Sequence, residues 1–465
     1  MLRRWKFQLF AAALFMLLLC TSASAAHNGY LVDLKSGMDL KTKELLDSAK
    51  LVYGPDDLYL VQDDDVIRQL RDLGAVESCS ENSYIQLDSL DAEFTACRSD
   101  NWGRAMVGWQ YAQSNSITGA NVRVGIIDSG ISSKFSTKNP NVRIEQGTNY
   151  LVAEYSADRH NTEDHAFSGE GHGTFVASII ADSACGVAGG VTIVPLKCFD
   201  SGSDCTMDIL ISAIDGAIEA NCDVVNMSLS TTQSDTNLEK AIRRAQDAGI
   251  IIVASSGNEY GSKLTYNHYP ACYSGVICVG SVDSSKQIAV SSVRNSSVNV
   301  VAPGEGITGL NADGQYASNS GTSFSSPMVC AAAALAHSVD PTLTSERFLE
   351  LLELSCEDLG AKGWDKTYGY GLLNIGLLLA IVRNDADSLT YSYANGVFCY
   401  SAYIPPLSAR HEQTLLAYYQ PNGRFALAGK WSAAEQAQIL CNVPAPYVTG
   451  QLRMLHLSSS FQPTA

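Results

Sequence analysis

The chain has 465 residues, 46% apolar and 17% charged, a balance that excludes a disordered or low-complexity polymer and supplies enough apolar surface for a sizeable core. At roughly 150 residues per domain it is too long for one ordinary domain, and one large core with appendages is the expected division. Acidic residues outnumber basic ones 48 to 31, the net charge is −17 and no Lys/Arg run exceeds two residues, so nucleic acid is not an expected partner and the acidity reads as a solubility-favouring surface.

Residues 1–25 carry Arg3, Arg4 and Lys6, then an apolar run over 9–19, then Ala23-Ser24-Ala25. This is the pattern of a secretory signal peptide and implies a secreted or extracytoplasmic protein. The run is shorter than the roughly 18 residues a spanning helix needs, so no retained transmembrane anchor is expected. Cys20 follows the bulky Leu19, which argues against lipid attachment. Setting Cys20 aside leaves twelve of the 13 cysteines, an even number in a compartment that permits disulfides. Cys198 and Cys205 are spaced to close a small loop, Cys278 and Cys330 sit in apolar segments as buried thiols, and the lack of Cys-x-x-Cys spacing gives no zinc site.

From residue 26 to about 98 the pattern is that of a small α+β unit, with strands over 30–34, 58–61 and 84–87 and a helix through Val66, Leu70 and Leu73. From about 120 short Val/Ile-rich runs at 122–127, 192–197, 223–229, 250–255, 276–279 and 298–302 read as buried parallel strands. Helical periodicity over 207–220 and 237–248 lies between them. Right-handed crossovers then place helices on both faces, a three-layer α/β/α sandwich with a mostly parallel central sheet. The apolar segment 372–382 reads as a closing core helix, and the core is expected to end near 383. Beyond it, alternation over 389–393, 396–403, 415–419 and 452–457 predicts a small β-rich domain across 384–465 of unassigned role.

Three polar residues stand at the ends of these elements in the order Asp, His, Ser. Asp128 ends a buried strand in Ile127-Asp128-Ser129-Gly130, an edge where open α/β sheets place their sites. His172 opens a helix in Gly171-His172-Gly173-Thr174, and the two glycines leave room for a substrate backbone to approach the ring. Ser323 opens an apolar helix in Gly321-Thr322-Ser323, near the unpaired amides of a helix start, where Pro327 is tolerated in the first turn. A serine hydroxyl needs a base to take its proton and an acid to orient that base, and this chain order is one of those by which unrelated folds build an acyl-transfer triad. Asn258, ending another strand in Ser256-Gly257-Asn258, supplies with the Ser323 backbone amide an expected oxyanion hole.

On these motifs, together with Asn226-Met227-Ser228-Leu229, the chain resembles the subtilisin-like serine peptidases over about residues 100–380. The resemblance implies a serine endopeptidase domain over 99–383 acting on peptide or protein substrates through an acyl-enzyme. It makes Ser228, Leu229 and Ser230 the edge that pairs with extended substrate, and Ala254, Ser255, Ser256 and Gly257 the opposite wall of the primary specificity pocket. It makes 26–98 a folding-assisting prosegment that is an intramolecular inhibitor and is removed by the enzyme itself, with 94–98 the first neighbourhood for the cut. Departures are Met328 and Phe175 where the family usually has histidines, and Ser230 where many members have glycine, so the family's pocket preference does not carry over. The stretch between His172 and Val187 is shorter than in members that bind calcium there, so no cofactor is expected and a structural calcium is not assigned.

His160, Glu163, Asp164 and His165 match no zinc spacing and read as a solvated loop rather than a metal site. Glu259 reads either as a pocket-rim acid favouring basic residues or as a solvated loop acid. A lipase of the α/β-hydrolase type is disfavoured because Gly-x-Ser-x-Gly is absent. The competing reading from another class is a catalytically inactive subtilisin-like module kept for binding or structure.

Overall fold

A computed structural model describes residues 28–36, 40–88, 101–165, 171–200, 205–361 and 363–383, and six further backbone strands between 390 and 456. The expected signal peptide over 1–25 and the neighbourhood 94–98 lie outside the described residues. Two compact units are present, one comprising residues up to Tyr84 with Thr206–Asp208, the other comprising Ile85–Cys205 and the chain from Ile209 onward.

In the first unit four antiparallel strands run in the order Lys50–Tyr53, Leu58–Val61, Tyr30–Leu34, Val76–Glu81. The helix Asp64–Asp72 starts where the Asp63 carboxylate accepts from the Asp65 amide, and its Ile67 and Leu70 bury against Val32, Leu34 and Val61. The strand Tyr84–Leu87 does not join this sheet, contrary to its expected place in the α+β unit. Its last residues pair antiparallel with Leu229–Ser230 in the second unit.

The second unit is built on an eight-stranded sheet in which every pairing is parallel. From Arg123–Asp128 the order runs one way through Val224–Met227, Ile251–Ser255, Ile277–Val282 and Val298–Pro303, and the other way to Thr192–Lys197 and the short Arg143–Ile144 and Thr148–Asn149. The order reverses at Arg123–Asp128, so Asp128 stands at the carboxyl end of a strand at the topological switch point. The six predicted runs are the long strands of this sheet: 192–197 coincides with its strand, and the ends of the others differ by at most three residues.

The helix Thr322–Val339 is buried all along from Thr322 to His337 and packs against the central strands and the helix His172–Ala181. Its run of alanines through 331–334 lets it approach the sheet closely, and its lack of a polar face is what a core helix requires. Ser345–Ser355 is capped by Thr344, whose hydroxyl accepts from the Arg347 amide, and contributes Phe348, fully buried, to the same core. Phe348→Ala is expected to cost about 3–5 kcal/mol by leaving a cavity in a site that collapses only partly. A urea midpoint that falls with an unchanged slope checks this, and an unchanged midpoint contradicts it.

Cys198 is a free buried thiol, so the small loop to Cys205 is not closed by a disulfide. Cys278 and Cys330 are buried thiols as expected, and burial pushes both above the usual thiol range. Between 390 and 456 the backbone forms two three-stranded antiparallel sheets, and among the described residues no helix is long and apolar enough to cross a membrane.

Candidate active site

Asp128 is fully buried, and both its carboxylate oxygens face His172 Nδ1, at 2.8 and 3.0 Å. The amide of Ser129 donates to the same Asp128 Oδ1 at 2.7 Å, and the Ser129 hydroxyl accepts from the Gly173 amide at 2.8 Å, which fixes the turn after the strand against the start of the histidine helix. The two glycines beside His172 are required by this packing. A Cβ on Gly173 would lie 2.3 Å from the Gly130 carbonyl oxygen. At Gly171 φ is +59°, and a Cβ would meet Ala312 at 2.3 Å.

Ser323 is the second residue of its helix and fully buried, with Oγ 3.2 Å from the Ser228 carbonyl. The ring of Phe324, the next residue, lies 5.7 Å from the His172 ring and 4.8 Å from Phe175, so the two helix starts are packed together by aromatic contacts. Phe175 therefore serves as apolar packing, and Met328 lines a small cavity with Gly103, Ile179 and Ile307. The serine helix is tied to the sheet by Asn226, which sequence reasoning placed only in a motif. Its Nδ2 donates to Ser228 Oγ at 2.9 Å, its Oδ1 accepts from Ser326 Oγ at 2.8 Å, and Ser228 Oγ donates to the Ser323 carbonyl at 2.8 Å.

Asn258 has its side-chain orientation fixed: Oδ1 accepts from the Thr322 amide at 3.1 Å, which turns Nδ2 the other way. That Nδ2 donates to the carbonyl oxygen of Asp88 at 2.5 Å, and the Ser323 amide donates to the same oxygen at 3.2 Å. Two donors from separate elements thus converge on one carbonyl, the arrangement an oxyanion hole requires. The Asp88 amide in turn donates to the Ser228 carbonyl at 3.1 Å, and Leu87 and Gln86 pair with Leu229 and Ser230. Residues 86–88 lie along the predicted edge as an added antiparallel strand.

The side chain of Asp88 is buried among predicted pocket residues. Ser230 Oγ donates to one carboxylate oxygen at 2.5 Å and Ser255 Oγ to the other at 2.6 Å. Burial pushes the Asp88 carboxyl above the usual carboxylate range, while Ser230, Ser255, His268 and His172 pull it back. His268 Nδ1 is 2.9 Å from Ser230 Oγ, and the ring lies against Gly257, where a Cβ would come within 2.5 Å of it. Ala254 is buried in the sheet between Met227 and Cys278, and Ser256 is buried with its amide bonded to the Val279 carbonyl. Glu259 Oε1 faces His268 Nε2 at 3.8 Å, so this acid neighbours an imidazole rather than standing alone on a rim. Neither Asp88 nor His268 was singled out from the sequence. Both are ordinary polar residues in loop-like surroundings, and only the added strand and the Thr231–Tyr269 bridge bring them to this place.

The other acidic and histidine cluster is dispersed. His160 Nδ1 bonds to the Gly147 carbonyl at 3.0 Å, Glu163 accepts from the Ser133 amide at 2.9 Å, and buried Asp164 accepts from the Thr174 amide and hydroxyl at 2.9 and 2.7 Å. Among the described residues no group of three or more His, Cys, Asp or Glu side chains is placed to hold a metal ion.

Known proteins resemble this arrangement over the same span. The peptidase S8 family model, described as the subtilase family, matches residues 119–371. Subtilisin DY of Bacillus licheniformis is 34% identical over 281 residues, which are 59% of this chain and 96% of that protein. Subtilisin E of Bacillus subtilis (strain 168) is 33% identical over 299 residues, 63% of this chain and 74% of that protein. Among solved structures, fervidolysin from Fervidobacterium pennivorans, described as a keratinolytic enzyme related to subtilisin, superposes with a TM-score of 0.62 at 19% identity, covering 90% of this chain and 69% of its own, a likeness of fold. With a family match across more than half its length and a relative covered almost end to end, the chain belongs to the subtilase family and is a serine endopeptidase.

Proposed function

We propose that the chain is a secreted endopeptidase, made as a precursor that processes itself, in which Ser323 is the nucleophile, His172 the general base and then acid, and Asp128 the group that orients the imidazole. Asn258 Nδ2 and the Ser323 amide hold the oxyanion. The observation that carries this reading is the Asp88 carbonyl oxygen seated between those two donors, at 2.5 and 3.2 Å. In the acylation step Ser323 Oγ adds to a peptide carbonyl as His172 takes its proton, the oxyanion moves onto the two donors, and the C–N bond breaks as His172 protonates the departing amine. Water then hydrolyses the ester by the same route. Residues 86–88, paired along Ser228–Ser230, support the prosegment reading, because a segment in that position excludes substrate from the edge it would otherwise use.

Fluorophosphonate labelling of the processed protein tests the nucleophile: label on the intact sequence and none on Ser323→Ala supports it. An inert binding module takes no label in either. Asn258→Ala is expected to lower kcat by about 10²–10³, or about 2.7–4 kcal/mol, with KM little changed, because its amide acts on the charge of the transition state; the magnitude is that of the equivalent loss in subtilisin itself. A change confined to KM would contradict that role.

A further inference from the structure

The geometry points to an aspartate-selective primary pocket: Ser230, Ser255 and His268 recognise an aspartate carboxylate immediately before the scissile bond, and the bond cut in maturation is Asp88–Ser89. This rests on the endopeptidase reading and adds the substrate class and the processing point to it.

Four observations converge. The backbone of Asp88 is in the register of a residue whose own carbonyl is under attack, with its amide on the Ser228 carbonyl and its oxygen on Asn258 Nδ2 and the Ser323 amide. Its side chain is buried to 6% exposure, and both carboxylate oxygens receive a serine hydroxyl. Ser230 Oγ spends its one proton on Asp88, so it accepts from His268 Nδ1–H at 2.9 Å, while the opposite ring nitrogen faces the Glu259 carboxylate at 3.8 Å. Glu259, His268, Ser230 and Asp88 thus stand in one line of polar side chains that ends in the pocket. Finally, Gly257 is the residue that lets the His268 ring approach, with a Cβ there only 2.5 Å from Nδ1.

The competing side chains fail for physical reasons. An aliphatic or aromatic residue would take the carboxylate acceptor from two buried hydroxyls, leaving Ser255 Oγ only the Met227 carbonyl at 3.5 Å, and sites built to bond a polar group reject analogues that lack it far more strongly than apolar pockets reject an extra methylene. A lysine would face the His268 N–H. Glutamate carries one more methylene between a carbonyl fixed by two donors and a carboxylate already at 2.5 and 2.6 Å from its serines, so it fits only by displacing one end. In maturation Ser323 Oγ bonds to the Asp88 carbonyl carbon, the bond to the Ser89 nitrogen breaks, the Ser323 proton passes through His172 to the Ser89 amine, and water frees the Asp88 carboxyl group.

The test uses the full chain, allowed to process itself, and internally quenched peptides Ile-Gln-Leu-Xaa-Ser with Xaa Asp, Glu, Asn, Leu, Phe or Lys. kcat/KM is expected to be about a hundredfold or more higher for Asp than for Leu, Phe or Lys, and intact-mass measurement of the released prosegment is expected to find Asp88 as its last residue. Ser230→Gly is expected to collapse the Asp-to-Leu ratio by about tenfold or more, the ratio being read on unlabelled enzyme while fluorophosphonate labelling of a separate sample shows that the variant is folded and its nucleophile intact. Equal or better cleavage after Leu, Phe or Lys, or a prosegment ending elsewhere, overturns the proposal. Fluorophosphonate label with casein cleavage after other residues sinks only the aspartate preference, whereas no label and no cleavage of any peptide sinks the endopeptidase reading with it.

Discussion

Ser323→Ala leaves the chain, after any leader is removed, at precursor length and lowers hydrolysis of casein about a millionfold, a scale set by subtilisin itself rather than by this geometry. The substitution removes one oxygen and little else. The contacts that seat this residue use its backbone: its carbonyl accepts from Ser228 Oγ at 2.8 Å and its amide donates to the Asp88 carbonyl at 3.2 Å. Both survive in alanine, as does Asn258, which is held by the Thr322 amide at 3.1 Å. The variant therefore keeps its oxyanion donors and its strand-binding edge, and a residual acceleration of about 10³–10⁴ over water is expected from them. Intact-mass measurement reads the precursor and single-turnover kinetics the rate. Processing at the ordinary rate in this variant would remove Ser323 from the mechanism.

How much of this was legible in the sequence depended on whether a residue's role is fixed by its neighbours in the chain or by partners far from it. The long parallel strands were readable because burial on both faces leaves continuous Val/Ile runs, as in Arg123–Asp128 and Ile251–Ser255. Val76–Glu81, Val-Glu-Ser-Cys-Ser-Glu, shows no such run and was missed, because it is a half-exposed strand with polar residues on both sides. The two-residue strands Arg143–Ile144 and Thr148–Asn149 are too short for any periodicity. Asp128, His172, Ser323 and Asn258 carry their signal locally, each beside small residues at an element end. Asp88 does not: its partners Ser230, Ser255 and Asn258 stand 142, 167 and 170 positions away, and nothing around it in sequence marks it. The same holds for Gly171 and Gly173, whose presence was legible and whose reason was not. They admit Ala312 and the Gly130 carbonyl, neither predictable without the turn that brings them close.

Asp128→Asn is expected to lower kcat by about 10⁴ while leaving the fold and the fluorophosphonate-accessible pocket in place. Asp128 accepts from two groups, the Ser129 amide on Oδ1 at 2.7 Å and His172 Nδ1 at 2.8 and 3.0 Å. An asparagine of the same shape has one acceptor and one donor atom. The Ser129 amide, a fixed donor, claims the carbonyl oxygen, so the NH₂ group turns to His172 Nδ1 and demands a lone pair there. That places the ring proton on Nε2, the nitrogen that must be bare to take the Ser323 proton, and the imidazolium formed in the transition state loses its counter-charge as well. The effect is thus one of tautomer and charge, not of packing, and it separates from a structural lesion in two ways. Thermal stability should fall far less than the rate does, and activity should rise steeply with pH as hydroxide replaces the missing base. An Asp128→Asn enzyme with near-ordinary kcat would show that the short contacts between this carboxylate and the imidazole serve the fold alone.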